Sequence, residues 1–168
     1  IFQWLRSTGE VSLVSHAVGM ANVGANGYTR VPVASSDGEY VAYWSSATNL
    51  VSGYPVGGGY TQVFLWERAT DSSRLVSHTP GSTLTPSGGS SGHVLSADGS
   101  KVFFQSAAGD LVSGYSGTGT QVYLWDRGTD TTSLVSHSDS NPLHGVASSA
   151  QLLGASADGG AALVQSSG

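Results

Sequence analysis

Apolar residues along this chain fall in short alternating runs, separated by clusters of Gly, Ser, Thr, Asn and Asp. Alternation with period two places every second side chain on one face of an extended strand. The runs are rich in Val, Tyr, Phe and Trp, the residues that fit a pleated, half-buried surface. No stretch carries a convincing helical period. Asp-Gly between apolar runs marks a tight hairpin, because Gly accepts positive φ and Asp can bond its own backbone. The pattern predicts an all-β chain of twelve short strands.

The runs repeat. Ile1–His16 (IFQWLRSTGEVSLVSH), Val63–His78 (VFLWERATDSSRLVSH) and Val122–His137 (VYLWDRGTDTTSLVSH) align without a gap. Trp4, Trp66 and Trp125 correspond, as do Arg6, Arg68 and Arg127, and His16, His78 and His137; Trp and His are 12 residues apart in every copy. A second motif alternates with the first: ASSDGEYVAYWSS from Ala34, LSADGSKVFFQSA from Leu95 and ASADGGAALVQSS from Ala155. Its aspartates are Asp37, Asp98 and Asp158. Two copies continue alike, as Asn49–Tyr54 and Asp110–Tyr115. A period near 60 residues over the whole chain signals a repeat architecture.

Each unit reads as four strands. Strand A (such as His93–Ala97) and strand B (Lys101–Ser106) flank the Asp-Gly turn. Strand C carries the Trp. A polar turn, Ala69–Ser73 in one copy, leads into strand D at Arg74–His78. Repeated four-stranded antiparallel units are blades of a β-propeller, which leaves only short edges exposed. The motifs S-x-D-G, V-x-F/Y, N/D-L-V, Q-V-F/Y-L-W-E/D-R and L-V-S together resemble the TolB-like and WD-like β-propeller repeats of bacteria, in particular a secreted, Ser/Thr/Gly-rich branch. The resemblance spans essentially the whole chain and implies a propeller fold. It implies an envelope location and a ligand- or protein-binding role as one reading. Such repeats often carry an Asp/Asn-rich loop between strands B and C; here the loop is Gly/Tyr-rich (Tyr54–Tyr60).

The units are out of phase with the ends. Residues 1–16 supply strands C and D of one blade, 30–78 and 93–137 two full blades, and 152–168 strands A and B of another. That is three blades' worth of strands with one blade split, below the usual four to eight. The expected partners are therefore other copies of the chain, joined through the terminal half-blades as a ring or filament, or missing parts of a longer chain. The first residue is Ile, and no basic-then-apolar leader precedes the repeats, which fits a mature product or a piece of a longer chain.

Composition narrows the chemistry. Only 10% of the 168 residues are charged, against about 25% in ordinary soluble domains, so the surface must be polar through Ser, Thr, Gly and Asn. With net charge -5 and a single lysine, Lys101, there is no basic track for nucleic acid or an anionic membrane. No apolar run is long enough for a membrane span. The absence of cysteine excludes disulfides and thiolate metal sites. Low charge and abundant Ser, Thr and Gly point to an extracellular or cell-envelope protein.

Three His, one per blade, could line a metal site or a pH switch; the structural reading is that each anchors its own blade. Equivalent positions on successive blades lie too far apart to share one ion. The Trp residues read as packing between blades, and each Arg, two residues on, as stacked on its Trp or paired with an acid. The three aspartates read as turn residues. His93 and His144 fall outside the repeat. Neither an H-E-x-x-H nor a phosphate loop occurs. The sequence thus predicts no enzyme, no cofactor and no metal. It points first to a non-catalytic scaffold joining through a shared blade. The alternatives are an envelope-binding propeller and the propeller module of a larger peptidase or glycosidase.

Overall fold

The computed structural model describes residues 1–53, 59–82 and 85–166. Most of the Gly/Tyr-rich loop and the last two residues lie outside that set. The described residues form sixteen strands and no helix, all in antiparallel sheets. A ribbon of β1 (Phe2–Trp4) and β2 (Val11–Leu13) comes first, then a short hairpin of β3 (His16–Ala17) and β4 (Met20–Gly24). A four-stranded sheet follows, from β5 (Thr29–Ala34), β6 (Tyr40–Ser45), β7 (Gln62–Glu67) and β8 (Ser72–Leu75), in that order. The second four-stranded sheet repeats it with β9 (Ser90–Leu95), β10 (Lys101–Ser106), β11 (Gln121–Asp126) and β12 (Thr131–Leu134). A hairpin of β13 (His137–Ser138) and β14 (Asn141–Gly145) leads to a final ribbon of β15 (Ala150–Ala155) and β16 (Ala162–Ser166).

Two expectations need correction. The strand count is sixteen, not twelve. The extra four are the hairpins that follow His16 and His137, where the chain reverses over Gly19 (φ 68°) in the first case. Strand D runs from Ser72 to Leu75, not from Arg74 to His78. Beyond Leu75 the chain leaves the ladder: Val76 N–H still donates to the Val63 carbonyl, but Ser77 turns its hydroxyl to accept from Val63 N–H at 3.0 Å. That contact frees the next residue, His78, from the sheet.

Both faces of each four-stranded sheet are covered, which is why their central strands are almost continuously apolar. Along β7, Phe64 and Trp66 pack with Val41, Tyr43 and Val14 toward the first ribbon, whereas Val63 and Leu65 join the next sheet's Val102, Phe104, Tyr123 and Trp125. Along β10 and β11 the pattern shifts one sheet onward: Phe103 and Val122 meet Ala150 and Leu152 of the final ribbon. In both four-stranded sheets the strand-C Trp therefore faces the preceding unit. Neighbouring sheets are also linked through their A–B turns, where Ser36 N–H donates to the Ala97 carbonyl and Ala97 N–H to the Ala157 carbonyl, both at 2.7 Å. Room at those turns is small: a Cβ on Gly99 (φ 69°) would lie 2.3 Å from the Tyr40 ring, so this position admits only glycine.

The alternation breaks at the ends of the array. Trp66 and Trp125 are 1% and 0% exposed, but Trp4, at the same position in the first ribbon, is 63% exposed. Trp66→Ala should therefore cost about 3–5 kcal/mol, the usual range for a core aromatic. Trp4→Ala in the dilute chain should cost less than about 1 kcal/mol. Urea denaturation of the two variants checks this, and equal losses would contradict the assigned faces.

Candidate functional site

The polar residues of the repeat meet at the junctions between sheets. The C–D turn places Asp71 and Asp130 in left-handed backbone (φ 45° and 54°), a conformation Asp tolerates better than most residues. This aims each carboxylate back at its own sheet. Trp66 Nε1–H donates to Asp71 Oδ1 at 3.2 Å, and Trp125 Nε1–H donates to Asp130 Oδ1 at 3.1 Å. The same oxygens receive a histidine from the preceding unit. His16 Nε2 lies 3.1 Å from Asp71 Oδ1, and His78 Nε2 lies 3.2 Å from Asp130 Oδ1. The other ring nitrogen of each histidine faces a carbonyl, Ala17 O or Thr79 O. Each relay thus runs His, Asp, Trp across one junction, with the imidazole and indole buried and the carboxylate half in solvent. The expectation that each His anchors its own unit is corrected: it reaches the next one.

The relay is incomplete at both ends. Position 9 corresponds to Asp71 and Asp130 but holds Gly9, with φ 73°. At the other end His137 is exposed, its Nδ1 facing Ser138 O at 3.0 Å, and among the described residues no carboxylate meets its Nε2. The carboxylates Asp71 and Asp130 were the residues sequence reasoning missed. Their signal was present, an Asp five residues after Trp in two of three copies.

The arginines follow no single rule. Each lies just past the end of strand C and does not stack on its own Trp. Arg68 pairs with Glu39, while Arg127 donates from Nε to the Gly99 carbonyl at 3.1 Å and lies over the Tyr40 ring, 4.2 Å from its centroid. Arg6 is exposed. The guanidinium that does cover a repeat Trp is Arg74, 5.9 Å from the Trp125 ring across the junction. An open groove of about 960 Å³ runs there, along Arg74, His78, Asp130 and Thr131.

Asp37, Asp98 and Asp158 each sit in an A–B turn and accept from a Ser hydroxyl two residues back, at 2.6, 2.7 and 2.5 Å from Ser35, Ser96 and Ser156. Each also accepts a backbone N–H two residues on, from Glu39, Ser100 and Gly160. These bonds favour the ionised form, led in every case by the serine. They hold all three carboxyls below their ordinary value, Asp98 at about 2.

The two unrepeated histidines differ. His93 is buried against the preceding sheet; the carbonyls of Ala42 and Val31 approach its ring without reaching hydrogen-bond geometry, and burial pushes the imidazole down from its ordinary value. His144 is exposed, with Nδ1 3.0 Å from Ser116 Oγ. No carboxylate orients that ring among the described residues, and no group of three metal-ligating side chains comes together there. No helix is long and apolar enough to cross a membrane among the described residues.

The structure defines a class, an all-β array of antiparallel sheets stacked face to face and tied by a repeated His–Asp–Trp contact. Among solved structures, the chain is similar to TolB from Acinetobacter baumannii, with a TM-score of 0.48 and 14% identity over 86% of this chain and 28% of that one. The likeness is distant, and the chain spans little more than a quarter of that structure's length. No known family profile and no curated protein matches the sequence.

Two outcomes test this geometry. Asp130→Ala leaves the Trp125 indole and the buried His78 ring without their shared acceptor, so it should cost about 2 kcal/mol in thermal or urea unfolding. The turn aspartates have depressed folded values, so their contribution is complete above the unfolded value of about 3.9 and is lost as pH falls through the folded values. Acid titration should therefore show stability declining below about pH 4, and Asp98→Asn should flatten that decline down to about pH 2.

Proposed function

We propose that the chain is a non-catalytic scaffold of the extracellular space or cell envelope, a part-propeller whose sheets act as blades and whose two terminal ribbons are completed by strands from another copy or from further parts of a longer chain. One observation carries the reading. The repeated polar groups are engaged with one another between neighbouring sheets, His16 on Asp71 and His78 on Asp130. Neither end strand carries a charge, since β1 reads FQW and β16 reads ALVQS. Uncharged, apolar edge strands are templates for strand pairing, and proteins that remain single chains usually block them with charge or proline. The sparse Lys and Arg also give trypsin-like proteases few points of attack, which suits long residence outside the cell. A ligand-binding role is the second reading, favoured by the groove along Arg74, His78 and Asp130.

Sedimentation of the 168-residue chain tests the scaffold. Association should grow with concentration, and Trp4→Asp should weaken it at least tenfold without lowering the melting temperature of the dilute chain. A chain that stays a compact monomer at high concentration would remove the scaffold reading and leave the groove as the better lead.

A further inference from the structure

We propose that His93 makes the junction between the two four-stranded sheets sensitive to acid: the junction closes around a neutral imidazole and is weakened when that ring takes up a proton. The device lies within one chain and does not rest on the scaffold reading.

A bulge in strand A places the ring. Along β9, Ser91 stands opposite Gln105 and Val94 opposite Phe103, so Gly92 and His93 together face the single residue Phe104. Gly92, at φ 53°, takes the left-handed turn that this kind of bulge uses. The bulge aims His93 at the preceding sheet, where it is only 6% exposed. The repeat itself does not call for a histidine here. Counted back from the Asp-Gly motif, the equivalent residues are Pro32 and Leu153, neither of which ionises.

The ring is buried without partners. Nδ1 and Nε2 are both shielded from water, and neither makes a hydrogen bond among the described residues. The carbonyls of Ala42 and Val31 approach but close no bond. A neutral imidazole carries one N–H and one lone pair. An imidazolium carries two N–H groups and a full charge, which a site shielded from water accommodates only beside a counter-ion.

No counter-ion is at hand among the described residues. The elements packed against β9 are β5, β6 and β7 of the preceding sheet, β10 alongside and β15 beyond. Their ionisable side chains are engaged elsewhere. Arg30 of β5 lies over the Tyr28 ring, 5.6 Å from its centroid. Tyr40 of β6 donates to Glu67 of β7 at 3.2 Å, and Tyr43 of β6 shares a hydrogen bond with Ser73 at 2.8 Å. Lys101 of β10 pairs with Asp126. Neither β15 nor the rest of β9 carries an ionisable side chain. Burial therefore pushes the ring below its ordinary value, and the two carbonyls offset that only in part.

The direction of the effect follows. The unfolded chain binds a proton at His93 as pH falls through about 6.5, and the folded chain resists until its own lower value is reached. The contribution is therefore complete above about pH 6.5, falls by up to about tenfold in the folding constant per pH unit below it, and levels off once the folded ring is protonated. This window lies above the one set by the turn aspartates, so the two losses separate.

Two measurements on the full chain test this. Nuclear magnetic resonance of the histidine rings should show His93 titrating below about 6.5. His93→Leu installs the residue that the third unit carries at this position. Its folding constant, relative to the unmodified chain, should rise roughly tenfold between about pH 7 and about pH 5. A ring that titrates at or above the ordinary value, or a relative folding constant that stays level across this range, would overturn the device. Should the leucine variant not fold, the ring titration alone decides.

Discussion

Each four-stranded sheet in this chain is apolar on both faces and has to be covered twice. That requirement governs the rest. Phe64 and Trp66 on one side of β7, and Val63 and Leu65 on the other, cannot be served by a single neighbour. The chain meets the demand by stacking units in sequence order, each offering its Trp to the unit before it. Because side chains alternate along a strand, one register error would exchange the two faces of a sheet. The units are therefore held in register by contacts outside the ladders: the linked A–B turns, the tight fit of Gly99 on Tyr40, and the histidine that crosses to the next carboxylate.

The relay does a different task from burial. A tryptophan buried between sheets must find an acceptor for its indole N–H, or lose part of what burial contributes. The Asp at the C–D turn supplies that acceptor at a place where its charge keeps contact with water. It then has a second lone pair to offer, and the preceding unit's histidine takes it. One exposed carboxylate thus satisfies two buried donors from two units. This makes the junction, not the single sheet, the unit of stability, and it explains why the first ribbon, with Gly9, and the last histidine, His137, read as unfinished.

Much of this was legible in the sequence. The period, the Asp-Gly turns and the strand-C tryptophans could be read because alternation and turn chemistry are local properties. The half-units at the ends followed from phase alone, and the two terminal ribbons are two-stranded. What escaped was set by contacts between units. Asp71 looked like one more polar residue in a turn, since nothing local shows that its carboxylate points at a Trp and receives a His 55 residues away. The hairpins that begin at His16 and His137 were hidden because they lack Asp-Gly and each opens on a strand of only two residues. The arginines escaped for the same reason: Arg127 lies over Tyr40 of the preceding sheet, a contact invisible in its own strand.

If covering by neighbours is what stabilises each sheet, protection should fall from the middle of the array to its ends. Amide hydrogen exchange, read strand by strand at two protein concentrations, measures this directly. In dilute solution β6, β7, β10 and β11 should exchange only through global unfolding, while β1 and β16 exchange orders of magnitude faster. At high concentration β1 and β16 should slow together and the central strands should not change. Equal protection of end and central strands in the dilute chain would contradict the account.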